Sequence, residues 1–184
     1  MRRHIRLRLS AWRLTAAILV VSSVSSLPAQ AAQVIVVVRH AERETGQGDD
    51  SLSAAGRERA ERLVFVLSDV NVTHVLTSDR KRTIETAAPL TEKRGLTSTA
   101  IPMPEASPGG IDPTEQQIAA TLDAINRLPE TARVLVVGHS NTVPILLKAL
   151  GVTESVTIRD DEFDNLFVVA PRAGGTTSLT RLRY

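Results

Sequence analysis

Two histidines and two arginines carry the chemistry open to this sequence. His40 follows the apolar run 34–38 and Arg39, and His139 follows a second apolar run and Gly138. The chain has four histidines in all; His4 lies in the first 31 residues, and His74, inside another apolar stretch, reads as structural. Arg82 stands four residues after Ser78, which closes that stretch. A guanidinium is a rigid fork of donors that matches phosphate oxygens. A neutral imidazole is a competent nucleophile toward phosphorus. A second imidazole, when protonated, stabilises the charge that builds on the equatorial oxygens. Gathered at one place, the four side chains make a cationic pocket for a tetrahedral dianion. The chain has no cysteine, which removes thiolate metal sites, iron–sulfur clusters, disulfides and a cysteine nucleophile. No H-x-x-x-H or H-E-x-x-H spacing occurs, so a helix-borne metal hydrolase is not indicated. The sequence implies no metal and no cofactor.

The elements that must gather these residues alternate in type. Residues 34–38 are β-branched and apolar throughout, as in a strand buried on both faces. Ser53 caps a helix reaching about Leu67, with Ala60, Leu63, Val64 and Leu67 inward. A strand at 73–77 leads into a helix from Lys81, with Ile84, Ala87 and Ala88 inward and a kink expected at Pro89. A short strand follows near 99–103, then a loop at 103–111 broken by Pro104, Pro108 and Gly109. Asp112 caps the next helix, with Pro113 in its first turn and Ile118, Leu122 and Ile125 on one face. A strand at 133–137, a helix at 142–150 stopped by Gly151, and strands at 166–170 and 178–183 joined through Gly174-Gly175 complete the chain. This alternation predicts an α/β fold, a three-layer α/β/α arrangement around a mainly parallel sheet. Such sheets bind ligands at the carboxyl ends of their strands. Arg39-His40, Ser78-Asp79 with Arg82, and Gly138-His139-Ser140 all fall at strand ends.

In this order the motifs resemble those of the histidine phosphatase superfamily, also called the phosphoglycerate-mutase-like or acid phosphatase superfamily. Arg39-His40-Ala41-Glu42 resembles its R-H-G/A-E signature, and Leu52-Ser53-Ala54-Ala55-Gly56 its L-[ST]-x-x-G helix start. The stretch 78–87 resembles its S-x-x-x-R-[AT]-x-x-T-A element, and Val137-Gly138-His139-Ser140 its second-histidine motif. The resemblance implies the phosphoglycerate-mutase-like fold and a metal-independent phosphatase. His40 would form a phosphohistidine intermediate, its ring oriented by a hydrogen bond from its other nitrogen to a backbone carbonyl. Arg39, Arg82 and His139 would hold the phosphoryl group. Two departures stand out. The asparagine that many members carry six residues after the nucleophile is Gly46 here. The general acid, usually placed before the second histidine, would be Glu105; Asp112 is second, its cap role explaining it already, and compact members that act on phosphohistidine need none. An alternative is a catalytically silent protein that keeps the pocket to bind phosphate or phosphoglycans. Glu42 could order the pocket arginines by ion pairing. The acidic run Asp160, Asp161, Glu162 and Asp164 reads as a solvated edge.

Residues 1–31 differ from the rest. Five arginines precede a short apolar stretch and Ala29-Gln30-Ala31, the order of a secretory signal peptide, and that stretch is too short to span a bilayer. The sequence thus divides into a signal peptide at 1–31 and one histidine phosphatase domain at 32–184. The formal net charge of +2 belongs to the leader, and without it the chain is mildly acidic. With aromatics at only 3%, neither a basic stripe nor a base-stacking surface for nucleic acid is indicated. The expected setting is exported, periplasmic or secreted, with no membrane insertion after cleavage. The expected partner is a small phosphorylated substrate or an envelope phosphosugar.

Overall fold

β1 (Val34–Arg39) is apolar at successive positions because both faces of it are covered. Ile35 and Val37 point into one apolar cluster, Val36 and Val38 into the other, as the two-residue period of a strand requires. The structure is a computed structural model that describes residues 33–45, 48–106, 110–171 and 177–184. The expected leader with its Ala29-Gln30-Ala31 site, Gly46, the breakers Pro108 and Gly109, and the Gly174-Gly175 turn lie outside the described residues.

After β1 come α1 (Ala54–Val66), β2 (His74–Ser78), α2 (Lys81–Arg94), β3 (Ser98–Ile101), α3 (Pro113–Asn126), β4 (Arg133–Gly138), α4 (Thr142–Ala149), β5 (Asn165–Pro171) and β6 (Thr177–Arg183). The strands form one sheet in the order β3-β2-β4-β1-β5-β6. β3, β2, β4 and β1 run parallel, while β5 is antiparallel to both its neighbours. Leu63, Val64, Ala87 and Leu90 of α1 and α2 cover one face, and Ile118, Ile125, Val143, Leu146 and Leu147 of α3 and α4 cover the other. The mainly parallel three-layer architecture is the one the alternation predicts. Fully burying an aliphatic side chain of this size contributes about 1.5–3 kcal/mol, so the two clusters dominate stability. Among the described residues no helix is long and apolar enough to cross a membrane.

Caps and stops follow the residue types. Ser53 accepts from the Gly56 amide at 3.1 Å, and Asp112 Oδ1 from the Thr114 amide at 2.7 Å. α4 ends before Gly151, whose φ of 89° suits glycine. Two expectations are corrected. Ile84 does not face inward: it is 39% exposed, because the inner face of α2 runs through Thr83, Thr86, Ala87 and Leu90. Pro89 lies inside α2, which continues to Arg94. β3 ends at Ile101 rather than Met103, since Pro102 and Pro104 lack the N–H groups a ladder needs.

Candidate active site

The register of the parallel strands brings the two histidines together. Arg39 of β1 pairs with Gly138 of β4, so His40 and His139 leave adjacent strand ends. The His40 amide donates to the Gly138 carbonyl at 2.9 Å, and the two imidazole centroids lie 5.4 Å apart. β2, on the other side of β4, ends at Ser78, and Arg82 stands in the first turn of α2 that follows. The loop leaving His40 is pinned from both sides. The Ala41 amide donates to Thr86 Oγ1 at 2.9 Å, and the Glu42 carbonyl accepts from the Ser53 amide. Gly56 is required there, because any Cβ would come within 2.1 Å of the Glu42 oxygen. The L-S-x-x-G stretch is therefore a seat for the backbone that carries the nucleophile candidate.

His40 is buried, and its Nδ1 lies 2.7 Å from the Ala41 carbonyl. A carbonyl only accepts, so Nδ1 holds the proton and Nε2 keeps its lone pair. Burial, and then the charges of Arg82, Arg39 and Arg43, push the His40 pKa down to about 4 against the pull of the Ala41 bond. The ring is neutral at neutral pH. His139 is buried as well, and desolvation followed by the Arg82 charge pushes it down to about 3. Arg82 Nη2 lies 3.4 Å from its Nδ1, and a guanidinium only donates. Nε2 therefore carries the proton and donates to Ser78 Oγ at 3.0 Å. Ser78 passes the polarity on to Thr83 Oγ1 at 2.8 Å, and Thr83 donates to the Arg80 carbonyl at 2.8 Å. This chain of donors fixes the ring orientation of His139.

The two arginines are held differently. Arg39 Nη1 donates to the carbonyls of Arg159, Asp160 and Glu162 at 2.9, 3.0 and 3.0 Å. Its guanidinium carbon lies 4.0 Å from the centroid of the Phe163 ring, a cation–π contact, and that ring lies 6.1 Å from His40. Arg82 Nη1 donates to the Gly48 carbonyl at 3.3 Å and lies 3.9 Å from Asp49 Oδ1. The Nε atoms of both arginines are buried and without a partner. Buried donors are ordinarily satisfied, and among the described residues these two are exceptions.

The structure brings together Arg39, His40, Arg82 and His139. Glu105 is exposed on the segment after β3, and among the described residues no hydrogen bond or ion pair joins it to those four. Asp112 is occupied as a helix cap. Glu42 does not pair with a pocket arginine. It takes a bidentate bond from Arg59, Nε and Nη2 both within 3.0 Å, because α1 presents Arg59 directly to it. His74 sits half-buried at the far end of β2, bonded to Thr73 Oγ1. The acidic run is more than a solvated edge. Its carboxylates face Arg159, Arg181 and Arg183, while its main chain holds Arg39. Sequence reasoning missed Phe163 and Arg43, although an aromatic residue inside an acidic run and a basic residue three places after His40 were both visible.

The family model described as "Histidine phosphatase superfamily (branch 1)" matches residues 35–107. No curated protein matches the sequence. Among solved structures, the protein histidine phosphatase SixA complexed with tungstate is 20% identical, with a TM-score of 0.62 over 82% of this chain and 96% of that one. The alpha-ribazole phosphatase from Shigella flexneri is 19% identical, with a TM-score of 0.61 over 82% and 96%. A mycobacterial glucosyl-3-phosphoglycerate phosphatase complexed with VO3 is 18% identical, with a TM-score of 0.60 over 83% and 98%. These likenesses are likenesses of fold.

Proposed function

We propose that this chain, which belongs to the histidine phosphatase superfamily, is a phosphatase that hydrolyses phosphomonoesters through a phosphohistidine on His40. The observation that carries the reading is the Nδ1 bond of His40 to the Ala41 carbonyl, which leaves a neutral Nε2 lone pair beside the guanidinium groups of Arg39 and Arg82. Nε2 forms the new bond to phosphorus as the ester P–O bond breaks, and the electron pair leaves on the ester oxygen. That oxygen takes its proton from solvent, which suits esters whose leaving group is weakly basic. Water then attacks the phosphoryl group, the P–N bond breaks, and inorganic phosphate leaves with the imidazole restored. Arg39 and Arg82 hold the equatorial oxygens through both steps, and His139 joins them once a proton taken up at Nδ1 with the incoming dianion makes that atom a donor. Preorganised donors of this kind supply roughly 10²–10³-fold each in acyl and phosphoryl transfer sites. In this mechanism the arginines do the electrostatic work, and no metal is required.

The order of basic, apolar and small residues in 1–31 supports export to the periplasm or beyond, with 32–184 as the working domain. That setting favours small phosphorylated molecules outside the cytoplasm as substrates, envelope phosphosugars among them. Sequencing the N-terminus of the protein recovered from the envelope fraction tests this; an intact residue 1 on cytoplasmic protein would refute it.

The activity is tested with para-nitrophenyl phosphate in EDTA. Turnover is expected to persist under chelation and to fall by roughly 10³-fold or more in His40→Ala, the scale seen when a nucleophile is removed. Unchanged turnover in that variant, or strict dependence on an added metal, would overturn the mechanism. The exposed position of Glu105 favours one second reading, a silent phosphate-binding protein. Calorimetric binding of inorganic phosphate with no turnover of any ester selects it.

A further inference from the structure

The proton on His40 Nδ1 is held by the Ala41 carbonyl, so the peptide unit joining Ala41 to Glu42 decides which ring nitrogen faces the phosphoryl group. The main chain on either side of that unit is pinned, the Ala41 amide to Thr86 and the Glu42 carbonyl to the Ser53 amide. The Glu42 side chain is gripped as well. Arg59 Nε lies 3.0 and 2.9 Å from its two oxygens, and Arg59 Nη2 lies 2.7 Å from Oε1. The third nitrogen, Nη1, donates to the Tyr184 carbonyl at 2.9 Å. Tyr184 is a firm anchor. It is buried in the apolar cluster that α1 and α2 cover, and its amide donates to the Asp164 carbonyl at 3.0 Å. Asp164 directly follows the segment whose carbonyls hold Arg39. One guanidinium thus ties the loop after His40 to the part of the chain that anchors Arg39, across a separation of 125 residues. The Arg59 and Glu42 side chains are only 18% and 24% exposed. At that depth the cost of stripping water from two charges offsets much of their attraction. What the fork supplies is geometry, since it leaves the carboxylate one orientation.

We propose that Arg59 is a positioning residue for His40: by clamping Glu42 to Tyr184 it fixes the Ala41 carbonyl, and through that carbonyl the Nδ1–H tautomer and the aim of Nε2. Its effect on turnover rests on the phosphatase reading above, while its hold on the ring is independent of it. Arg59 acts through Glu42 and Ala41, so it serves the orientation of the nucleophile rather than the binding of phosphate.

The test reads the tautomer directly, by NMR of the full chain isotopically labelled at its histidine ring nitrogens, with His40→Ala assigning the His40 signals. In the wild type His40 is expected to show a single tautomer with the proton on Nδ1. In Arg59→Gln the ring is expected to average between both tautomers. In the same variant kcat for para-nitrophenyl phosphate should fall roughly tenfold, within the scale of a small misplacement of a reacting group. KM should barely move, because the bonds of Arg39 and Arg82 are untouched. Arg59→Lys, which keeps the charge but not the fork, should lie between the two. A merely structural clamp would lower the melting temperature and leave the tautomer alone. A single Nδ1–H tautomer surviving in Arg59→Gln therefore overturns the proposal, as does a wild-type ring already mixed, or an unchanged kcat. Failure of both variants to fold overturns it too, since Arg59 would then serve the fold alone. Should the wild type not turn over the ester, the phosphatase reading fails by itself, and the tautomer comparison alone decides the hold of Arg59 on the ring.

Discussion

Arg39 and Arg82 belong to one site, and their supports contrast. Arg39 is gripped by three main-chain carbonyls and an aromatic face. Arg82 leans on one carbonyl at 3.3 Å, a carboxylate at 3.9 Å and an imidazole at 3.4 Å. The first set leaves the guanidinium one orientation. The second consists of longer contacts, two of them to a polar loop, so Arg82 can adjust when an anion enters. The pocket therefore pairs a fixed donor with an adaptable one. Fixed donors add most to a transition state because they need no reorganisation.

The strongest way to break this comparison is to remove each arginine in turn. Arg39→Ala is expected to cost roughly 10²–10³-fold in kcat/KM and also to lower the melting temperature, since three carbonyls lose their partner. Arg82→Ala should cost activity on a similar or smaller scale and leave the melting temperature nearly unchanged. Steady-state kinetics and thermal melts on the two variants read both effects; equal losses of stability would remove the distinction. A smaller effect is expected from Phe163→Leu. Losing a cation–π contact of about 0.5–2 kcal/mol should raise KM several-fold with less change in kcat, and Phe163→Tyr should restore it. If Phe163→Leu lowers kcat alone, the ring serves the chemistry rather than the grip on Arg39.

A further expected effect is a pH dependence of stability. His40 and His139 are held neutral with pKa values of about 4 and about 3, below the unfolded value of about 6.5. Between those values the unfolded chain binds more protons than the folded one, so stability falls as pH drops from about 6.5 toward 4. A melting series over that range should show the slope, and His139→Gln should flatten part of it. An unchanged slope would mean that His139 is charged in the folded protein.

The site was legible where side chains carried it. A β-branched run followed by Arg39-His40 and another followed by Gly138-His139 place reactive groups at strand ends, and the parallel register does the rest. The support of Arg39 was hidden because it is made of carbonyl groups, which every residue of 159–162 has alike. The inner face of α2 was misjudged at Ile84 for a related reason. Hydropathy favours isoleucine inside, but Thr86 is needed there to hold the loop after His40, and Thr83 to hold Ser78, the partner of His139.

The hold on Arg39 by residues 159–163 has a consequence for how the protein comes into being. The first reactive pair in the chain depends on carbonyls more than a hundred residues further along. Closing loops of such length carries an entropic cost that only a folded chain repays. A partly synthesised chain ending before residue 159 can pair β1 with β4 and bring the two imidazoles side by side, yet Arg39 in it has no anchor. Phosphate affinity should therefore emerge only when residues 159–163 dock, which makes anion binding a reporter of that docking.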